Sequence, residues 1–218
     1  MRVFYLTDAQ YGISNIALRR IKVSRFSELN DPFELLGVNL SDKTKRAAFR
    51  KTKEELDRKT GLICFSRSWK NPVLWGHYAK KHTGIALGFD VPDTLLVSVI
   101  YSKRLLDADL YLKSGKPSKG LVERLIKTKF YDWKYENEMR LFVGLDHESS
   151  EGGRYFVPFS DELRLAEVIL GPKCDLPLDG VRELLRSQDS TANVVKARIA
   201  FTRFEVLENE AATRADEV

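Results

Sequence analysis

Short apolar runs separated by polar turns constrain the fold of this chain more than any other feature. The runs at 3–6, 62–66, 85–90 and 166–170 are rich in residues that favour strands. Helical patterns lie between only some of them, so the chain lacks the regular alternation of a parallel βαβ sheet. We therefore predict an α+β fold with a mixed, mostly antiparallel sheet flanked by helices.

Two helices have the clearest sequence signals. The charged segment 41–60 begins with a capping residue and ends before a glycine. Asn71 and Pro72 open a second helix, because proline is best tolerated at the first helical position, and we expect this helix to end near Gly84. The remaining predicted helices cover 13–20, 120–131 and 178–187, and the remaining strands cover 21–23, 95–101, 139–145, 154–159 and 193–207.

The chain contains no repeat and no linker rich in proline or serine. We therefore predict a single α+β domain over 1–207, followed by a disordered acidic tail over 208–218. No apolar run approaches the roughly 18 residues needed to cross a bilayer, so no membrane partner is expected. Cys64 and Cys174 are too few for a disulfide framework, which predicts a cytoplasmic location. The oligomeric state stays open.

The net charge of +5 understates how basic the main body is. Residues 205–218 carry five acids and one base, and without them 35 bases face 26 acids, a net charge of +9. Such a surface can attract an anionic partner, namely a nucleic acid, a nucleotide or a dinucleotide cofactor. A solvated basic surface without a partner is the alternative.

Three segments concentrate the side chains that carry chemistry. They are 30–34, then 64–66 with 74–84, and 133–140, and they hold two of the three histidines, two of the three tryptophans and a close glutamate pair. A plain globular domain does not require this concentration. The sequence therefore points to a functional site in these segments.

The helix after Asn71 carries an aromatic face. Trp75, Tyr78 and His82 are spaced at i, i+3 and i+7 and so share one side of a helix. Such a face can stack on a base or a nicotinamide ring while donating hydrogen bonds. Alternatively, Trp75 and Tyr78 are core residues and His82 is a cation near the helix end.

The third segment carries two glutamates and an arginine in alternation. If 135–143 is extended, Glu136, Glu138 and Arg140 project to one side. Two carboxylates at this spacing repel, which raises the pKa of one of them, and Arg140 partly relieves the repulsion. Such a set can order sugar hydroxyls or stabilise a developing cation. A surface ladder of salt bridges is the alternative.

Two predicted turns complete the set of candidate site residues. Ser66 and Ser68 follow a strand, where their hydroxyls either bind a ligand or form a turn. Asn30, Asp31 and Pro32 predict a tight turn in which Asp31 accepts hydrogen bonds from nearby backbone amides.

Several common chemistries lack their sequence signatures. The cysteines and histidines have no zinc-binding spacing, so no metal site is predicted. There is no glycine-rich phosphate loop, no G-x-G-x-x-G and no G-x-S-x-G. A nucleophilic pair of Cys64 and His77 stays open beside the simpler interpretation of Cys64 as a buried strand cysteine.

The three segments, in this order, resemble the bacterial family called domain of unknown function 2971. Its members look like N-D-P-F-E, then C-F-S followed by W-x-x-Y-A-x-x-H-x-G-x-x-x-G-F, then W-x-Y-E-x-E-x-R. The resemblance spans about 3–172, and Leu6 departs from it because members often carry a basic residue there. The matching residues are 30–34, 64–66, 75–89, 133–140 and 167–171.

A second resemblance is to ADP-ribosyltransferases. The shared order is an early strand with a tyrosine, a strand that ends in serine and a late strand with Glu-x-Glu. Those enzymes use a split mixed sheet, bind NAD in its cleft and place a glutamate on the ribose. The resemblance implies corresponding roles for Arg2 or Tyr5, for 66–68 and for 136–138.

The resulting first hypothesis is an NAD-dependent enzyme of the ADP-ribosyltransferase type, acting in phage defence or toxin-type conflict. Glu138 is expected to hold the nicotinamide ribose and to stabilise the transition state, with Glu136 as the second catalytic residue. The residues expected to bind NAD are Tyr5, Ser66, Trp75, Tyr78, His82 and Arg140.

The sequence is also compatible with two alternatives. The first is a non-catalytic module that binds a nucleic acid or a nucleotide through the basic body and exposed aromatic residues. The second is a ribonuclease in which His77 and His82 act as general acid and base.

Overall fold

The computed structural model describes residues 1–106, 112–113, 116–145 and 150–215 and has the predicted α+β character. The strands are β1 (Arg2–Thr7), β2 (Arg20–Val23), β3 (Thr60–Ser66), β4 (Ile85–Asp90), β5 (Leu96–Ser98), β6 (Ile100–Ser102), β7 (Leu112–Lys113), β8 (Lys116–Pro117), β9 (Thr128–Phe130), β10 (Glu138–Gly144), β11 (Tyr155–Pro158), β12 (Arg164–Leu170), β13 (Asn193–Ile199) and β14 (Val206–Glu208). The helices are α1 (Ala9–Ala17), α2 (Lys43–Lys59), α3 (Pro72–Tyr78), α4 (Lys119–Leu125), α5 (Leu178–Arg186) and α6 (Glu210–Ala215), with 3₁₀ turns at Phe26–Glu28, Asp93–Leu95 and Tyr131–Glu136.

An eight-stranded sheet forms the centre of the fold, in the order β14-β13-β12-β4-β1-β3-β10-β5. Adjacent strands of this sheet are antiparallel, except for β12 and β13, which are parallel. This confirms the predicted mixed, mostly antiparallel sheet. Smaller two-stranded pairings join β2 with β11, β6 with β9 and β7 with β8.

The sheet opens between β1 and β3. Strand β1 pairs with β4 along its whole length, from Arg2 opposite Asp90 to Thr7 opposite Ile85. In contrast, β1 pairs with β3 only where Phe4 lies opposite Ser66. Because the two strands diverge beyond this pair, side chains can enter a gap that a regular sheet closes with backbone hydrogen bonds.

Helices cover both faces of the sheet. The alternation along β3 places Ile63 and Phe65 in a cluster with residues of α1 and α5, whereas Leu62 packs with residues of α2 and α4. A third cluster includes Trp75 of α3, which packs against β4, β12 and β13. None of the described helices is both long and apolar enough to cross a membrane.

Helix α3 ends earlier than the sequence predicts. It stops at Tyr78 because Lys80, Lys81 and His82 all have positive φ, between 45° and 75°, which no helix allows. The N–H of Gly84 then donates to the carbonyl of Ala79, which closes the turn. The face predicted to join Trp75, Tyr78 and His82 is therefore broken before His82.

Two predicted strands and the tail also differ. The segments 95–101 and 193–207 each divide into two strands, which are separated by Val99 in the first case and by residues 200–205 in the second. Residues 208–215, predicted as part of a disordered tail, complete β14 and form α6. Long-range hydrogen bonds hold these residues in place. The backbone amide of Lys196 donates to the hydroxyl of Thr213, and the side chain of Arg182 donates to the carbonyl of Thr213. Residues 216–218 lie outside the described residues.

Two glycines test the tight turn after α3. A Cβ added to Gly84 meets the carbonyl oxygen of Thr7 at 2.2 Å and the backbone of Ala79 at 2.9 Å, whereas one added to Gly76 meets nothing. We expect Gly84→Ala to lower the free energy of unfolding by about 1–3 kcal/mol or more. Gly76→Ala, inside α3, should raise it by about 0.5–1 kcal/mol. Urea denaturation measures both, and equal effects would contradict the packing described.

Candidate functional site

A cavity of about 210 Å³ fills the gap between β1 and β3. Its walls come from these two strands, from Lys22 and Ser24, from the segment 28–30, from α3 and from the ends of β9 and β10. The lining residues are Phe4, Tyr5, Leu6, Lys22, Ser24, Glu28, Leu29, Asn30, Ile63, Cys64, Phe65, Ser66, Leu74, Tyr78, Lys129, Glu136 and Glu138. The opening in the sheet thus brings all three sequence segments to one place.

A buried ion-pair network stands behind the inner wall. Arg140 of β10 is 0% exposed, and its Nε donates to Glu138 Oε1 at 2.7 Å. Both terminal nitrogens of Arg140 donate to the carboxylate of Glu34, one of them at 3.1 Å. Arg140 also donates to the carbonyl of Ile126 at 2.7 Å. The bidentate geometry fixes the guanidinium and, through it, Glu138.

Lys129 joins the two glutamates of the third segment. Its ammonium donates to Glu136 at 2.5 Å and to Glu138 at 3.1 Å, and all three side chains are almost completely buried. Three carboxylates, counting Glu34, therefore face only two cations. If every group were ionised the cluster would carry one uncompensated negative charge, which is unfavourable in a buried site.

The two cavity glutamates have opposite pKa shifts. Burial would raise the pKa of Glu138, but Arg140 and Lys129 outweigh it and lower the value to about 2. Burial raises the pKa of Glu136 to about 7, and Lys129 opposes the rise only in part while Glu138 adds to it. Glu138 is therefore a fixed anion, and Glu136 exchanges a proton near neutral pH.

Hydroxyl groups connect Glu136 to the protein surface. The hydroxyl of Tyr78 donates to Glu136 and accepts a hydrogen bond from Asn30 Nδ2 at 2.6 Å. The hydroxyl of Tyr135 lies 2.7 Å from Nδ1 of the exposed His77, whose ring also contacts the ring of Tyr78. Burial, reinforced by Glu136, raises the pKa of both tyrosines, so both hydroxyls keep their protons at neutral pH.

Two further lining residues are held protonated by burial. Burial raises the pKa of Tyr5 to about 12 and places the pKa of the Cys64 thiol well above its ordinary value, with Glu138 adding to the latter. A thiol without thiolate character is a poor nucleophile. His77, its predicted partner, instead contacts Tyr135, Tyr78 and Trp133. The geometry does not support a nucleophilic pair of Cys64 and His77.

The structure brings together most of the predicted site residues. Those that line the cavity are Tyr5, Ser66, Tyr78, Glu136 and Glu138. Ser66 also forms the predicted local turn, since its hydroxyl donates to the carbonyl of Ser68 at 2.8 Å. Asp31 likewise accepts from the amide of Phe33 at 2.9 Å, as predicted for the turn at 30–32.

Three predicted binding residues need correction. Trp75 is 0% exposed and its indole nitrogen donates to the carbonyl of Trp69, so it offers no ring face to a ligand. His82 is the last residue of the left-handed turn and does not line the cavity; burial and Lys173 lower its pKa. Arg140 is fully engaged with Glu34 and Glu138 and cannot also bind a phosphate.

The segment 135–143 is not extended throughout. Residues 131–136 form a 3₁₀ turn that ends at Asn137, whose φ is 46°. Glu136 therefore reaches the cavity from this turn, whereas Glu138 and Arg140 share a face of β10. Glu136, Glu138 and Arg140 are all buried, so they do not form the surface ladder of salt bridges that was the alternative.

Glu34 and Lys129 are the functional residues that sequence reasoning missed. Glu34 lies 106 positions from Arg140, a separation that no local spacing rule addresses. Its presence in the segment 30–34 was the only available signal. Lys129 resembles any other lysine in a basic sequence until the fold places it against two carboxylates.

Comparison of the chain with protein-family models, with curated proteins and with solved structures gave no match. The resemblances to the domain of unknown function 2971 and to ADP-ribosyltransferases therefore stay predictions. Within the described residues, no group of three or more His, Cys, Asp or Glu side chains is arranged to hold a metal ion.

Removing Arg140 should be far more costly than removing an exposed arginine. Arg140→Met leaves Glu34 and Glu138 buried without their main partner, and we expect a loss of about 3–5 kcal/mol in the free energy of unfolding. Arg164→Met breaks an exposed pair with Asp90 and should cost less than about 1 kcal/mol. Adding Glu34→Gln to Arg140→Met should recover part of the loss. Similar losses for both single variants in urea denaturation would rule out the buried network.

The proton on Glu136 should be visible in the pH dependence of stability. Because folding raises its pKa from 4.5 to about 7, proton uptake stabilises the folded state fully below about pH 4.5. That contribution is lost as the pH rises through about 7. The melting temperature of Glu136→Gln minus that of wild type should therefore grow as the pH rises from about 4.5 to about 7. A pH-independent difference would contradict the assignment.

Proposed function

We propose that this chain is an enzyme that breaks the glycosidic bond of a ribosyl nucleotide, with NAD as the substrate and ADP-ribosyl transfer as the reaction type. The observation that carries the proposal is the cavity in the opened sheet, which has Glu136 and Glu138 together in its inner wall. A split sheet whose cleft holds a Glu-x-Glu pair is also what the resemblance to ADP-ribosyltransferases implies.

The charge at the inner wall suits this chemistry. Glu138 stays ionised, and the buried cluster of three carboxylates and two cations has one negative charge in excess when Glu136 is ionised too. Such a wall favours a cationic ring and the positive charge that develops on a sugar as its glycosidic bond breaks. Burial strengthens the effect because little water screens these charges.

The donors and acceptors fit a ribose. Glu138 uses its oxygens for Arg140 and Lys129, but a carboxylate has about four lone-pair sites and can still accept from a sugar hydroxyl. Asn30 and Ser66 add polar atoms to the lining. The cavity volume of about 210 Å³ is below the roughly 300–1,000 Å³ typical of whole ligand sites, so it accommodates one end of a dinucleotide.

Glu136 is suited to general base catalysis. NAD supplies the bond that breaks, with both electrons leaving on neutral nicotinamide. Ionised Glu136 accepts the proton of the water or acceptor hydroxyl that adds to the sugar carbon. The hydroxyl of the half-buried Tyr78, which contacts Glu136, then passes that proton outward to solvent. A base with a pKa of about 7 is well matched to neutral pH.

The observations favour this proposal over the ribonuclease alternative. His77 contacts Tyr135, whereas the backbone of His82 contacts Trp75 and Lys173, so the two histidines belong to different surroundings. Binding of a nucleic acid, as acceptor or as sole partner, rests on the basic composition. A role in phage defence rests on the resemblance.

Nicotinamide release from NAD tests the proposal. We expect wild type to release nicotinamide, and Glu136→Gln and Glu138→Gln to be slower by roughly 10²–10³-fold. The rate should rise with pH through about 7, because Glu136 must be ionised. Glu167→Gln, a half-buried carboxylate away from the cavity, serves as the matched control and should keep full activity.

No release by wild type, with or without cell extract as a source of acceptors, would overturn the proposal. Full activity in Glu138→Gln would do the same. Circular dichroism at the assay temperature confirms that each variant is folded before its rate is interpreted.

A further inference from the structure

A second cavity of about 410 Å³ adjoins the first one. Tyr5 and Lys22 line both cavities, so the two share a wall. The second cavity is bounded by β1, α1 and the β2–β11 ribbon. Its lining residues are Tyr5, Thr7, Tyr11, Ser14, Asn15, Leu18, Arg20, Lys22, Arg154 and Phe156.

The β2–β11 ribbon explains why this cavity is basic. In β2, Ile21 and Val23 are buried in the core, so the alternating residues Arg20 and Lys22 face the opposite way. Phe156 of β11 lies opposite Lys22 in the register and therefore belongs to the same face. Arg154 precedes Phe156 by two positions and also lines the cavity.

The two cavities differ in charge. The first is lined by Glu28, Glu136 and Glu138, whereas no acidic residue lines the second, within the part of the chain that the structure describes. Glu28, which lines the first cavity, pairs with Lys22 at 2.8 Å. Glu151 pairs with Arg20, but its side chain is 61% exposed, and exposed pairs of this kind are weak. An anion with two or more charges can displace the Glu151 carboxylate from Arg20.

Arg20 is held ready for such an anion. Its guanidinium lies 4.0 Å from the centre of the Phe156 ring, which fixes its plane. Its Nε is buried and has no hydrogen-bond partner among the described residues. The terminal nitrogens, one of which contacts the exposed Glu151, are the donors suited to bind phosphate oxygens.

We propose that the second cavity binds the diphosphate of the nucleotide whose ribose occupies the first cavity. The inference rests on the proposed function and specifies its substrate class as a nucleoside diphosphate ester. Arg140 cannot hold the phosphates, because Glu34 and Glu138 occupy it. Lys22 lies at the shared wall, where the phosphates adjoin the ribose, and Arg20 and Arg154 lie farther along. Tyr11, which is 65% exposed, offers a ring on which a base can stack.

Calorimetric titration with inorganic pyrophosphate and with ADP-ribose tests the subsite. We expect both to bind wild type, with an affinity that falls as salt increases. Arg20→Gln and Arg154→Gln should each weaken both ligands by roughly tenfold or more, since each removes a charge-assisted hydrogen bond. Arg203→Gln is the matched control: Arg203 is exposed, pairs with Glu205 and lies outside both cavities, so its affinities should be unchanged.

The outcomes separate the subsite from the proposed function. Pyrophosphate binding that depends on Arg20 and Arg154 in a protein that releases no nicotinamide would support the subsite and overturn the reaction. Nicotinamide release with a KM for NAD that neither arginine variant changes would support the reaction and overturn the subsite. Equal weakening by Arg203→Gln would also overturn the subsite, since it would show a general charge effect.

Discussion

The buried contact of Arg140 with Glu34 and Glu138 is the interaction on which the site depends. It connects the turn at 30–34 to β10 across 106 positions and also reaches the carbonyl of Ile126. Buried ion pairs add little net stability compared with apolar packing, because both charges lose their hydration. A cluster this costly to bury is understandable where its charge is used, and its members Glu138, Glu136 and Lys129 line the cavity.

The odd number of charges in this cluster gives its members different roles. Arg140 and Lys129 both contact Glu138, which keeps it ionised, whereas Glu136 shares only Lys129 and takes up a proton more readily. Two carboxylates two positions apart thus become a permanent anion and a titrating group. Environments that push neighbouring pKa values apart are typical of sites that combine charge stabilisation with proton transfer.

Local patterns predicted most of the strands and the helix starts, because each depends on neighbouring residues. Asp42 and Asn71 accept hydrogen bonds from the first turns of α2 and α3, as expected of capping residues. The predicted end of α3 was wrong. The left-handed residues after Tyr78 belong to a tight turn that Gly84 closes, and helical spacing does not reveal such a turn. Glu136 and Glu138 were found as a pair, but Glu34 and Lys129 were not, because tertiary structure alone brings them to the pair.

The aromatic helix contributes to the site in a way that its spacing did not predict. Trp75 anchors α3 in the core, and this anchor holds Tyr78 at the cavity wall, where its hydroxyl contacts Glu136. A buried carboxylate with a pKa of about 7 is useful only if protons can reach it. Under the proposed function the Tyr78 hydroxyl provides that connection, since it can accept one proton while it donates another. The contribution of α3 to the proposed reaction is therefore the position of the Tyr78 hydroxyl, and the proposal assigns stacking on a ligand to the rings of Tyr5 and Tyr11.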